Sequence, residues 1–325
     1  MKNTNLSMDN ILKTSQTNID NATKYGKKRR RQEALLGYAL ASPGILVIVI
    51  FSLYPIIQTI NLSFHSLKLT MPGLGEPFVG IKNYLEISHS ARFWLAVWHT
   101  FEFTLYSVVF ELVFGLLIAL LINRPFFGRG LIRAVVLIPW AIPTAISSMM
   151  WKFMFDDQLG VVNPILMKLG IIHHSIVWLG NPNYALGSII FVDVWKTTPF
   201  MALLLLAGLQ VIPSELYESA KVDGANAWQR FFKITLPLLK PALLIALLFR
   251  TLDAFRVFDV IFILTGGGPG NSTESLSMYA QTVLMRYMDF GHGSALAVVT
   301  FVFILLISIF YIRLIGIPVD QENKE

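Results

Sequence analysis

Apolar residues gather into six long runs separated by shorter polar or charged stretches. The runs cover about 35–62, 99–123, 131–154, 185–211, 238–264 and 294–317. A helix needs roughly 20 apolar residues to cross the hydrocarbon core of a bilayer. In lipid, runs of this kind satisfy their backbone groups as helices. The pattern therefore predicts an all-α polytopic membrane protein with six transmembrane helices. Pro43 and Pro55 predict a kink or tilt in the first span, and Pro139 and Pro143 sit in the first half of the third. Pro199 can break the fourth span at membrane depth, which is tolerated where a helix lines a cavity. Between spans, the Pro72-Gly73 turn precedes an interfacial helix expected near 81–87.

The polar stretches set the orientation. Residues 1–23 are polar and Asn-rich, and Lys24, Lys27, Lys28, Arg29, Arg30 and Arg31 follow just before the first apolar run. Basic residues collect on the cytoplasmic side of membrane proteins. With the N-terminus inside, fifteen basic residues flank the inner ends of the spans and five flank the outer ends. This predicts a cytoplasmic tail over 1–34, a six-helix transmembrane body over 35–317, and a short cytoplasmic tail over 318–325. The polar start also predicts no cleavable signal peptide.

Composition narrows the chemistry. Of 325 residues, 54% are hydrophobic and 14% charged, where a soluble domain carries about 25% charged. The chain has no cysteine, so disulfides, thiolate metal sites and cysteine nucleophiles are out. The net charge of +6 lies largely beside the membrane ends, so nucleic acid is not an expected partner. His173-His174 are adjacent, a poor geometry for two ligands to one ion, and no metal site is expected. The stretch TGGGPG at 265–270 lacks the Gly-Lys-Ser/Thr ending of a phosphate loop.

Charges inside apolar runs carry more information, because each costs at least about 2.5 kcal/mol at the bilayer centre. Arg250, Asp253, Arg256 and Asp259 alternate in sign at steps of three in the fifth run, so each can pair with the next on a helix. They must face protein or water. Steps of three drift around the helix, and the outer members, Arg256 and Asp259, are the better candidates for solute contact. The fourth run holds Asp193 and Lys196, again three apart, with Thr197, Thr198 and Pro199 behind them. Glu102 and Glu111 lie in the second run; Glu111 is read as a structural partner of a Lys or Arg, with proton coupling as the alternative. No convergent nucleophile or metal set exists, so no catalytic residue is expected. One functional reading is an ion-coupled carrier for a small polar solute that uses Glu111, Asp193 and Lys196.

The longest charged interruption is PSELYESAKVDGANAWQRFFKITLPLLKP, 213–241. It predicts a short helix entered at Pro213 with Ser214 as N-cap, a bend at Gly224, and a second helix capped by Asp223 and stopped at Pro237. Within it, Glu218-Ser219-Ala220, Asp223-Gly224-Ala225, Ile234, Leu236-Pro237 and Pro241 resemble the EAA signature of bacterial ABC-importer permeases. Ser219 stands where the name-giving motif has Ala. The resemblance implies the type I ABC-importer permease fold, with 212–240 as the coupling loop. It assigns Glu218, Ser219, Ala220, Asp223, Gly224, Ala225, Leu236 and Pro237 to contact with a partner ATPase.

Three further stretches resemble the sugar-importer branch, on the maltose-permease side of a heterodimer: WLG at 178–180, VWKTTPFMALLLLAGLQVIP at 194–213, and FDVIFILTGGGP at 258–269. That likeness implies sugar contacts at Asp193, Lys196, Thr197, Phe200, Leu252, Phe255 and Arg256, to which the charge argument adds Asp259. Relatives carry neutral amides at some of these positions. The resemblance also implies a non-catalytic subunit in a bacterial or archaeal plasma (inner) membrane. Its expected partners are a second permease, a dimer of ATPases, an extracytoplasmic solute-binding protein and membrane lipid. ATP and magnesium belong to the ATPases, and this chain is expected to bind no cofactor.

Overall fold

Helices account for nearly all the regular structure of the computed structural model, which describes residues 34–71, 73 and 75–315. The basic run before residue 34 and the tail over 318–325 lie outside the described residues. Helix α1 (Ala34–Ser63) is long and apolar enough to cross a membrane. Its residues up to Thr59 form one compact unit, and Ile60 onward forms a second. A π turn at Val49–Leu53 interrupts α1 between Pro43 and Pro55.

In the second unit, α2 (Lys82–Ser88) is the short outer helix expected near 81–87. Helices α3 (Ala91–Asn123), α7 (Pro182–Gln210), α9 (Ala227–Phe255) and α12 (Phe290–Ile315) are four more apolar helices of membrane-spanning length. Helices α4 (Arg129–Ala141) and α5 (Thr144–Met154) stand in place of one straight third span, with an 86° bend between them. Pro143 explains the bend: it gives Ile142 an extended backbone (ψ 131°), and α5 starts immediately after the proline. The remaining helices are α6 (Val162–Lys168), α8 (Ser214–Val222), α10 (Asp259–Leu264) and α11 (Leu276–Gln281).

Helix breaks differ from the sequence expectation at three places. Pro199 lies inside an unbroken α7. Pro237 does not stop α9: a π turn at Phe231–Thr235 precedes it, so the proline falls in the first turn of a fresh α segment, where a missing N–H costs little. The fifth span instead ends at Phe255, and an irregular stretch over 256–258 separates α9 from α10.

Packing is most extensive where α3 meets α7. A Cβ on Gly115 of α3 would lie 2.7 Å from Met201 Cγ and 3.2 Å from the Ala202 amide, so only glycine permits this approach. Around it, Ala119, Ile122, Met201, Leu205, Leu206, Leu209 and Leu239 form an inner apolar cluster. A second cluster joins Phe103, Trp151, Ile189, Val192, Ala254 and Ile261.

Between α5 and α7, the buried Asn163 of α6 meets all its hydrogen-bonding capacity. Its amide donates to Ser175 Oγ (2.7 Å) and the Ile176 carbonyl (3.0 Å). Its oxygen accepts from the Ile176 amide and Trp178 Nε1. A neighbouring strap pairs Lys68 with Asp289, flanked by the Leu69 amide on the Met288 carbonyl and the Phe290 amide on the Leu67 carbonyl. Burial alone would raise the Asp289 carboxyl. Hydrogen bonds from the His292 ring, the His292 amide and Lys68 outweigh it and hold the group down to about 2.

Candidate functional site: a charged cavity and a capped loop

Arg250 is the centre of the charge arrangement. Its side chain is 3% exposed on α9, and its guanidinium reaches three carboxylates. Nε and one Nη meet Glu111 of α3, the same Nη meets Asp193 of α7, and the other Nη lies 3.1 Å from Asp253. Asp253 in turn holds Arg256 at 3.1 Å. Thr197 Oγ1 sits between the Glu111 carboxylate and the Asp193 carbonyl, with its single proton available to either. Three helices are thus joined by one planar cation whose fork geometry suits several carboxylates at once.

Lys196 is occupied elsewhere. Its ammonium donates to the carbonyls of Ile142 (3.0 Å) and Trp140 (3.5 Å). Those carbonyls belong to the last turn of α4, which the bend at Pro143 leaves without helical partners. The three-residue spacing of Asp193 and Lys196 therefore does not produce a pair; Arg250 takes the carboxylate and the bend takes the ammonium. In the fifth span, Arg250–Asp253 and Asp253–Arg256 pair as the spacing predicts. Asp259 falls after the break and opens α10.

These groups border a cavity of about 460 Å³ between the α4–α5 bend, α7, the end of α9 and the start of α10. Asp193, Lys196, Thr197, Arg256 and Asp259 all line it. Trp140 contributes an aromatic face, backed by Phe200 in a stacked pair (centroids 5.6 Å apart, planes 13° apart). Phe200 and Leu252 are not among the lining residues. Phe255 points away: it is fully buried, with its ring 5.2 Å from Phe101 and 5.9 Å from Phe303. Trp140, Thr144 and Phe258 line the cavity without having stood out in the sequence. Trp140 and Thr144 flank the Ile142-Pro143 break, and a tryptophan beside a helix-breaking proline at membrane depth was the available signal.

The loop at 212–240 is built from two end-stops placed back to back. Helix α8 closes with the Gly224 amide on the Lys221 carbonyl (3.1 Å) and the Ala225 amide on the Ala220 carbonyl (2.9 Å). This is a Schellman ending, and Gly224 takes the left-handed conformation it requires (φ 76°). Two residues later α9 opens with a reciprocal capping box between Asn226 and Gln229, both bonds 2.8 Å. The predicted caps Ser214 and Asp223 are not the ones used. Pro213 occupies the entry position of α8, and Asp223 is the residue that ends it. Arg230 closes the elbow by donating to the Ala225 carbonyl (2.6 Å), and Tyr217 meets Thr235 across it (3.0 Å). Glu218, Ser219, Asp223 and Gly224 are exposed on this elbow, and Val222 is 88% exposed.

The comparisons agree with this architecture. Residues 111–317 match the family described as "Binding-protein-dependent transport system inner membrane component". The chain is 46% identical to the trehalose/maltose transport system permease protein MalF of Thermococcus litoralis, over 88% of this chain and 95% of that one. It is 42% identical to the sulfoquinovosyl glycerol transport system permease protein SmoG of Agrobacterium fabrum, over 87% of this chain and 91% of the other. Among solved structures it superposes on a chain of a bacterial ABC transporter that imports the acidic polysaccharide alginate. The TM-score is 0.76 at 25% identity, covering 88% of this chain and 96% of that one. From Glu111 at the ion junction through the charged cavity and the elbow to the end of α12, the matched residues span both candidate sites, and the chain belongs to the family of binding-protein-dependent transport system inner membrane components.

Proposed function

We propose that this chain is the sugar-translocating permease subunit of an ATP-driven importer, with both termini in the cytoplasm. The observation that carries the reading is the charged cavity at the α4–α5 bend. It presents an aromatic face at Trp140 and an exposed guanidinium at Arg256, the two kinds of group that hold a hydroxyl-rich ring. The charges around it also favour a neutral solute. The charges that line it balance, with Asp193, Asp253 and Asp259 facing Lys196, Arg250 and Arg256. A balanced lining offers a chain of uronic acids no surplus of cations, so in this reading the cargo differs in charge from alginate. Names such as trehalose/maltose permease among the relatives support a neutral di- or oligosaccharide.

The exposed elbow at 218–225 is the surface on which a partner ATPase docks in this reading. A second permease and an extracytoplasmic solute-binding protein complete the assembly. The permease hydrolyses nothing, and ATP and magnesium sit on the ATPases. Binding of solute by the protein outside, followed by closure of the ATPases inside, rocks the elbow and opens the cavity to one side at a time.

The deciding experiment reconstitutes the complex in vesicles with its cognate binding protein and measures ATP-dependent uptake of a panel of neutral and uronic-acid oligosaccharides. Uptake of a neutral member, lost in Arg256→Ala and Trp140→Ala, supports the reading. Uptake that runs on an ion gradient without ATP replaces it with the ion-coupled carrier.

A further inference from the structure

We infer that a groove between the end of α3 and helices α8 and α9 binds one anionic phospholipid of the cytoplasmic leaflet. The inference rests on the orientation proposed above. The groove holds about 800 Å³. Its walls are apolar, with Val113, Leu117 and Leu120 from α3 and Trp228 and Phe231 from α9. Its rim is cationic, with Arg124, Lys221 and Arg230. No carboxylate lines it, and among the described residues none of the three cations pairs with one. Arg230 is held at the rim by its bond to the Ala225 carbonyl. Arg129 and Arg133, on the carbonyls of Asn123 and Ile122 at the same end of α3, add to the positive field.

Depth and charge together select the occupant. The leucines belong to the membrane-spanning run of α3, and Arg124 stands where that run ends. A ligand that fills the groove is therefore apolar below and anionic at the water boundary. Basic pockets at the cytoplasmic ends of membrane helices have this relation to acidic lipid headgroups. An extended polypeptide laid along the leucine wall would leave backbone polar groups unsatisfied at membrane depth, and a membrane helix of another subunit, which satisfies its own backbone, supplies no anion to the rim unless it carries a carboxylate there. The chain's own segment 24–31 carries six cations and repels the rim. A zwitterionic lipid brings its own cation and leaves the rim uncompensated.

The test uses the assembled transporter containing the full-length chain, delipidated in detergent. Phosphatidylglycerol or phosphatidylcholine is added back at equal concentration, and bound lipid is counted by native mass spectrometry. The expected result is retention of phosphatidylglycerol over phosphatidylcholine. Each cation removed lowers retention roughly fivefold, so Arg124→Gln with Arg230→Gln lowers it about 25-fold, while Arg124→Lys retains it. Because Arg230 also braces the elbow, Arg124→Gln alone is measured beside the pair. Equal retention of the two lipids, or unchanged retention in Arg124→Gln, overturns the assignment. So does a photo-crosslinker at Leu117 that captures a polypeptide and no lipid. Lipid retention is read without transport, so its failure leaves the importer reading standing, and loss of uptake leaves the lipid site standing.

Discussion

At the scale of single residues, Arg250 is the point on which most depends. It compensates Glu111 and Asp193 at the back wall of the cavity, where its own side chain is 3% exposed. Removing one partner of a buried ion pair costs about 3–5 kcal/mol, because the other charge is left alone. Arg250→Ala is expected to lower the melting temperature of the purified complex sharply and to cut its yield in the membrane. Glu111→Gln with Arg250→Met removes charge from both sides and should recover part of that loss. A double variant no more stable than Arg250→Ala would show that the junction does not work as a charge pair. In the strap beside the start of α12, the Asp289 carboxyl sits at about 2 against an ordinary 3.8. A depressed carboxyl contributes stability that is fully present above its unfolded value and fades as pH falls through its folded one. Hydrogen-exchange protection of the Leu69 and Phe290 amides in the strap should therefore hold above pH 4 and fade toward pH 2. In Asp289→Asn it should be weakened already at neutral pH.

At the scale of elements, the elbow between α8 and α9 separates folding from transmission. Asn226→Ala removes one half of the capping box and should cost about 1 kcal/mol, seen as faster exchange in the first turn of α9. Gly224→Val forces a branched side chain into a left-handed conformation at a cost of about 1–2 kcal/mol, although open space surrounds the residue. Both should leave the two permeases assembled. Gly224→Val should abolish the ATP hydrolysis that loaded binding protein stimulates, and normal stimulation would remove the elbow from the mechanism. The helix positions and the elbow were legible in the sequence because hydrophobic period and glycine chemistry are local. The true caps were not, because Asp223 and Asn226 are both good capping residues three apart, and only the Schellman ending decides between them. The break after Phe255 was hidden for a related reason. Arg256, Val257 and Phe258 contain no proline or glycine, and the irregular backbone there is supported by contacts distant in sequence, such as Ser275 Oγ on the Val257 carbonyl. The partner of Lys196 was equally out of sight, since backbone carbonyls bared by a bend 54 residues away leave no mark in composition.

At the scale of the whole molecule, the absence of cysteine makes orientation directly measurable. Cysteines placed at Val222 and at Asn271, both exposed, should behave oppositely toward an impermeant maleimide added outside intact cells. Position 271 should label and position 222 should not, and labelling at 222 would reverse the orientation on which the transport cycle is built. The elbow has one more consequence at this scale. Its end amides and carbonyls are taken up by the back-to-back stops, and Arg230 and Tyr217 cross-brace it. Such a part does not yield by fraying when it is pushed. In the proposed transport cycle it would serve as a crank: a thrust delivered at 218–224 would become a swing of α9. The far arm of that crank is Arg250, bolted to two other helices at the wall of the cavity, so in the proposed cycle a displacement of the elbow would arrive as a change in the bore offered to the solute.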